Sequence, residues 1–191
     1  MPTASSCAEP AAGRLWTIGH STHPAETLIA LLAAAGIEAV ADVRRFPASR
    51  RLPQFNAAGL ARTLAHAGIA YLPFPQLGGR RQARSDSGNL AWKEAGYRGY
   101  ADYMQTDGYR HARGRLAQAA RQRRTAILCA EAAWRSCHRQ LIADDFKAAG
   151  WEVLHLLADG GCQPHPWSPA ARIVDGRLDY GTMPPAQGRL F

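Results

Sequence analysis

Five residues within one short stretch carry the side chains that covalent or metal chemistry needs: Cys129, Glu131, Cys137, His138 and Arg139, in the run CAEAAWRSCHR. The apolar residues ahead of Cys129 predict a strand over Thr125–Cys129, with Glu131 in the turn that follows. A helix is then expected from about Cys137 to Ala149, stopped by Gly150. A thiol at a helix N-terminus lies among unpaired N–H groups that favour its thiolate, and Arg139 adds positive potential. Three chemistries fit these residues. Cys129 or Cys137 can act as nucleophile, with Glu131 or His138 moving protons and Arg44 or Arg139 holding an anion. Cys129, Cys137 and His138, with His20 as a further donor, can hold zinc, although the spacing is not that of a zinc finger. Cys129, Arg135 and Ser136 also satisfy a Cys-x5-Arg-Ser phosphatase pattern. That reading is weak, because AEAAW has no glycine to let backbone amides close around a phosphate and Glu131 sets a negative charge beside it.

The elements that must position these residues alternate as a parallel sheet with crossover helices requires. Strands are predicted at Leu15–Gly19, Glu38–Val43, Ile69–Leu72, Thr125–Cys129 and Glu152–Leu157. Helices are predicted at Pro24–Ala35, after Asn56, at Tyr97–Met104, at Tyr109–Arg123 and from Cys137. The fold class is therefore α/β, a single domain with an open, mostly parallel sheet and helices on both faces. Residues 1–14 read as a mobile N-terminal tail that includes Cys7, residues 15–158 as the domain, and residues 159–191 as a Pro/Gly-rich extension that wraps the domain or stays loose.

In an open parallel sheet, ligands bind outside the carboxyl ends of the strands. His20 and Ser21 follow the first strand, Asp42, Arg44 and Ser49 the second, and Cys129 and Glu131 the fourth, so polar residues gather at one edge. His20 and Ser21 are equally suited to helix capping, and Asp42 with Arg44 to an ion pair. The long polar loop through Gly78, Gly79, Arg80, Arg81 and Arg84 is of a length that loops usually reach for function.

Apolar residues make up 47% of the chain and charged residues 20%, a globular composition that excludes wholesale disorder or a fibrous repeat. The four cysteines lie in unlike contexts, and neither a secretory leader nor a membrane-length apolar run is seen, so a reducing, cytoplasmic setting without membrane contact is expected. The net charge of +8 comes almost wholly from arginine, since Lys93 and Lys147 are the only lysines. Arginine's planar fork suits phosphate and base edges, which points to nucleic acid or a nucleotide as partner.

Taken together, TIGHS at Thr17–Ser21, DVR at Asp42–Arg44, the Pro47/Ser49/Phe55-Asn56 stretch, LGG at Leu77–Gly79, Tyr100–Met104, and CAE with CHR resemble the domain-of-unknown-function 488 family of bacteria and archaea. The resemblance runs from about residue 15 to 160. It implies an α/β fold and an enzyme, and it names no reaction. The family's signature positions fall here on His20, Ser21, Asp42, Arg44, Ser49, Cys129, Glu131, Cys137, His138 and Arg139. Arg135 is not among them.

The last residues, QGRLF, are similar to the Gln-x-x-Leu-Phe peptide by which bacterial polymerases and repair enzymes dock on the DNA sliding clamp, with Gln187 as the polar contact and Leu190 and Phe191 as apolar anchors. The leading expectation is an enzyme acting on nucleic acid or a nucleotide. Its catalytic residues would be Cys129, Glu131, Cys137, His138, Arg139 and His20, and its substrate-binding residues Ser21, Asp42, Arg44, Ser49, Gly78 and Gly79. The alternatives are a DNA-associated adaptor with a Cys/His metal site, or a redox protein in which Cys129 and Cys137 form a reversible disulfide.

Overall fold

A computed structural model describes residues 12–181. The N-terminal segment with Cys7 and the clamp-like peptide at Gln187, Leu190 and Phe191 lie outside the described residues. The described chain forms a six-stranded sheet, with β1 (Arg14–Gly19), β2 (Ala39–Asp42), β3 (Ala70–Pro73), β4 (Thr125–Cys129), β5 (Glu152–Leu156) and β6 (Cys162–Pro164) in the spatial order β3-β2-β4-β1-β5-β6. The first five strands are parallel and β6 is antiparallel to β5. β2 and β4 are buried along their whole length, as expected of central strands covered on both faces.

Helices α1 (Ala25–Ala34) and α2 (Ala57–His66) cover one face. Their Leu28, Leu32, Leu60 and Leu64 pack on Ile18, Val40 and Leu128. Helices α3 (Ala95–Met104), α4 (Asp107–Gln122) and α5 (Arg139–Ala148) cover the other, packing Tyr100, Leu116, Leu141 and Phe146 against Ala41, Ile127 and Val153. The predicted α/β fold with helices on both faces is what the chain adopts.

The winding decides where a crevice opens. From β1 to β2 to β3 the chain moves one way across the sheet through α1 and α2. It then returns to β4 and β5 through the helices of the opposite face. β4 thus lies between β2 and β1, whose connections leave to one face, while its own leaves to the other, and a cleft opens at its carboxyl end.

Three details depart from the expected layout. β1 begins at Arg14 and α5 at Arg139, so Cys137 and His138 lie just ahead of the helix, after a 3-10 turn at Trp134–Ser136. The segment after Asp159 adds β6 and a hairpin, β7 (Arg172–Val174) with β8 (Arg177–Asp179). It is fastened by a buried chain of hydrogen bonds from Thr17 through His155 and His165 to Asp144, which Tyr180 and the Ser168 N–H also donate to. Trp134 stacks on His155 with ring centroids 4.0 Å apart, which ties the loop after β4 to this network.

Candidate active site at the carboxyl edge

A cavity of about 420 Å³ lies at the end of β4. Its floor is Cys129, Cys137 and His138, and its walls and rim include Arg44, Arg45, Phe46, Gly79, Arg80, Tyr97 and Glu131.

On the floor, His138 Nδ1 lies 3.7 Å from Cys137 Sγ and 4.0 Å from Cys129 Sγ. Arg139 points inward and is only 1% exposed. Its Nε donates to Cys137 Sγ at 3.3 Å, and its Nη2 donates to the carbonyls of Glu131 and Ala132. The Cys137 thiol is held well below the usual range, first by the Cys129 thiol hydrogen-bonded to it, then by His138 and Arg139, all against the opposing effect of burial. Cys129 is pushed in the opposite direction by the same hydrogen bond and by burial. The two thiols are therefore coupled, and their opposite shifts arise chiefly from one shared contact.

The close approach of β1 to the loop after β4 depends on a missing side chain. His20 and Ser21 donate their backbone N–H groups to the carbonyls of Cys129 and Ala130, and a Cβ on Gly19 would lie 1.9 Å from the Glu131 carbonyl oxygen. Gly79 has the same function on the other wall, where a Cβ would come within 2.9 Å of His138 Nδ1.

Arg44 is fixed from behind. Its Nε and Nη2 grip Asp42 Oδ1 and Oδ2 at 2.8 and 2.6 Å, and the Tyr71 hydroxyl donates to the same carboxylate at 2.8 Å. His20 Nδ1 lies 2.8 Å from the Ser21 carbonyl, which can only accept, so Nδ1 carries the proton and Nε2 accepts from Arg44 Nη1 at 3.2 Å. Burial, with Arg44 in support, lowers the His20 pKa to about 4, and the ring stacks on Phe55. Both nitrogens of a neutral His20 are therefore engaged, and it stands behind Arg44, outside the cavity lining.

Of the sequence-predicted residues, the structure brings Arg44, Gly79, Cys129, Glu131, Cys137 and His138 into the lining, with Arg139, His20 and Asp42 directly behind it. Ser49 is a loop fastener: its hydroxyl accepts from the Leu52 N–H at 3.1 Å and its own N–H donates to Asn56 Oδ1. Ser21, Ser49 and Gly78 do not reach the lining. Ser21, at φ 49°, holds the strained turn that delivers His20. Gly78 lies against Arg45, whose Cβ would be 2.5 Å from an added methyl. Ser136 lines the cavity, whereas Arg135 stacks over Trp134, so the phosphatase pattern does not assemble.

Sequence reading missed Tyr71, Tyr97, Arg45 and Phe46 as contributors. Arg45 and Phe46 directly follow the DVR motif, and that adjacency is the one signal that could have marked them. Gly79 and Arg80 are presented by the long loop, which Asp102 pins through Ser87, Asn89 and the Arg84 N–H at 2.6–2.8 Å.

Cys129, Cys137 and His138 form the one trio of potential metal ligands among the described residues, their donor atoms all within 4.8 Å of one another. Two sulfurs and an imidazole suit a zinc-type cation, with the cavity at the fourth position. A ligating imidazole normally donates its second N–H to an acceptor, however, and His138 Nε2 is buried with no partner among the described residues. The set fits a metal in its donors and lacks the usual outer support.

Fold and site together define an α/β protein with an open, mostly parallel sheet, whose carboxyl edge gathers two cysteines, a histidine and arginines. Residues 24–146 match the family described as Domain of unknown function DUF488, and the chain belongs to that family. No curated protein and no solved structure matches the chain. Among the described residues, no helix is long and apolar enough to cross a membrane.

Proposed function

We propose that the chain is a cysteine-dependent enzyme acting on a nucleotide or nucleic acid, with Cys137 as its nucleophile. The observation that carries the reading is the Arg139 Nε donor 3.3 Å from Cys137 Sγ on the floor of an arginine-lined cavity. A guanidinium against sulfur favours thiolate, and the thiolate is the nucleophilic form. In the reaction, Cys137 Sγ bonds to an electrophilic centre of the substrate, and the leaving group departs with the bonding electrons. His138, between the two sulfurs, and Glu131, at the rim, are placed to transfer protons. Arg44, held rigid by Asp42 and His20, binds substrate phosphate together with Arg45 and Arg80. Arg139, His20 and Asp42 are positioning residues.

The test is iodoacetamide alkylation followed by peptide mass spectrometry between pH 5 and 10. Cys137 is expected to react fastest, with a midpoint below the free-thiol value of about 8.5, and to be protected by an oligonucleotide. A Cys137 that reacts only above that pH, or that an oligonucleotide leaves unprotected, defeats the reading. The same reading assigns Gln187, Leu190 and Phe191 to sliding-clamp docking, on sequence alone. Anisotropy of the labelled last ten residues against a bacterial clamp tests that assignment, and no binding at high micromolar concentration removes it.

A further inference from the structure

The rim of the cavity contains a side chain that the cysteine chemistry does not use. Phe46 is 64% exposed, the most exposed of the large apolar side chains among the described residues. It stands beside a cationic opening with the Arg45 guanidinium 5.4 Å from its ring centroid. Arg45 also donates from Nη1 to the Arg80 carbonyl at 2.8 Å, which joins the loop after β2 to the loop after β3 next to Phe46 in sequence. Arg80 adopts a left-handed backbone at φ 58°, a strained conformation for a non-glycine residue at the cavity wall. Neither Arg45 nor Arg80 pairs with a carboxylate among the described residues, unlike Arg44, Arg84, Arg110 and Arg113.

An exposed aromatic ring with one guanidinium over it and a second arginine lining the same cavity matches one ligand chemistry especially well: a base to stack on the ring's other face and a phosphate to hold. The geometry points to Phe46 as a base-stacking platform, with the cavity taking one unpaired nucleotide and Arg45 and Arg80 holding its phosphate. This rests on the proposed nucleotide or nucleic-acid substrate and narrows it to a single unstacked unit. At about 420 Å³ the cavity lies at the small end of ligand sites, room for one nucleotide and not for a base pair. A nucleotide inside a duplex would have to leave its stack to reach Cys137.

Fluorescence anisotropy with a labelled, 5′-phosphorylated ten-nucleotide thymidine strand tests this on the full chain. The single strand is expected to bind at least ten times more tightly than the same strand in a blunt duplex. Phe46→Ala weakens single-strand binding by roughly 5- to 150-fold, the range set by one lost aromatic stack, and Phe46→Trp restores it. Arg45→Ala and Arg80→Ala weaken binding of every strand and flatten its salt dependence. Because Phe46 and both arginines are exposed, these variants should fold, and circular dichroism checks that they do. Equal affinity for duplex and single strand, or an unchanged affinity in Phe46→Ala, overturns the inference. Competition by thymidine monophosphate separates the sources: displacement at similar concentration assigns a free nucleotide, and no displacement assigns a strand. Thiol reactivity of Cys137 without nucleic acid is read separately, so a failed stacking platform and a failed nucleophile give different results.

Discussion

Arg139 Nε donates to Cys137 Sγ at 3.3 Å while the same guanidinium holds the carbonyls of Glu131 and Ala132, so one buried cation both contacts the sulfur and braces the loop beside it. Lysine keeps the charge but lacks the planar fork that reaches both partners. Arg139→Lys should slow alkylation of Cys137 at pH 6.5 by about tenfold, as expected if losing the Nε donor raises the thiol pKa. At pH 9.5 the rates of variant and parent should converge. A uniform slowing at every pH would instead report lost access, and rapid-quench alkylation distinguishes the two.

Gly19→Ala sets a methyl where the Glu131 carbonyl now lies, with Arg139 Nη2 2.9 Å away. Backbone cannot yield as a flexible side chain does, so the loop after β4 must shift. The expected cost is about 2–3 kcal/mol, in the range of overpacking a well-filled site, together with loss of the fast-reacting Cys137. Urea denaturation and thiol labelling measure the two effects.

Asp102 is the hub of the loop that presents Gly79 and Arg80. Burial works against its charge, but donors from Ser87, the Arg84 N–H and Asn89 outweigh it and lower its pKa. Asp102→Ala leaves those donors without their acceptor, at a cost of about 3 kcal/mol. Amide exchange should accelerate over residues 80–92 far more than in β2 or β4. Uniform exchange across the chain would mean that the loop is not a separate unit.

His20 and His155 are both kept neutral chiefly by burial, with pKa values near 4 and 2 against an ordinary 6.5. Arg44 and Arg139 add to the effect on His20 while Asp42 opposes it, and His165, Arg139 and Arg135 add to it on His155. The unfolded chain therefore takes up protons first as pH falls. Stability should be full above pH 6.5 and fall steadily toward pH 4. The urea midpoint measured across that window should fall less steeply in His155→Gln than in the parent. An equal slope would assign the acid loss to other groups.

The thiolate reading also expects substoichiometric zinc in freshly purified protein. Elemental analysis that finds one zinc per chain, lost in Cys137→Ala, would transfer Cys129, Cys137 and His138 to a metal centre.

Hydrophobic period and turn residues are local properties, and they sufficed to place β1 to β5, the helices and the sheet's carboxyl edge. The same local reading put His20, Arg44 and Cys129 near one another, because parallel strands must deliver their ends to one side. It could not say which way each side chain turns there. That His20 faces Arg44 and that Arg139 is buried against Cys137 and the loop after β4 depend on rotamers chosen by packing between segments that meet only in the fold. The same holds for the His155–His165–Asp144 network, whose members lie up to 21 residues apart along the chain and meet only once β5 and α5 have packed. Phe46 shows the limit most plainly. In sequence it is an ordinary apolar residue after an arginine pair, and only the tertiary structure leaves its ring in solvent beside a cationic cavity.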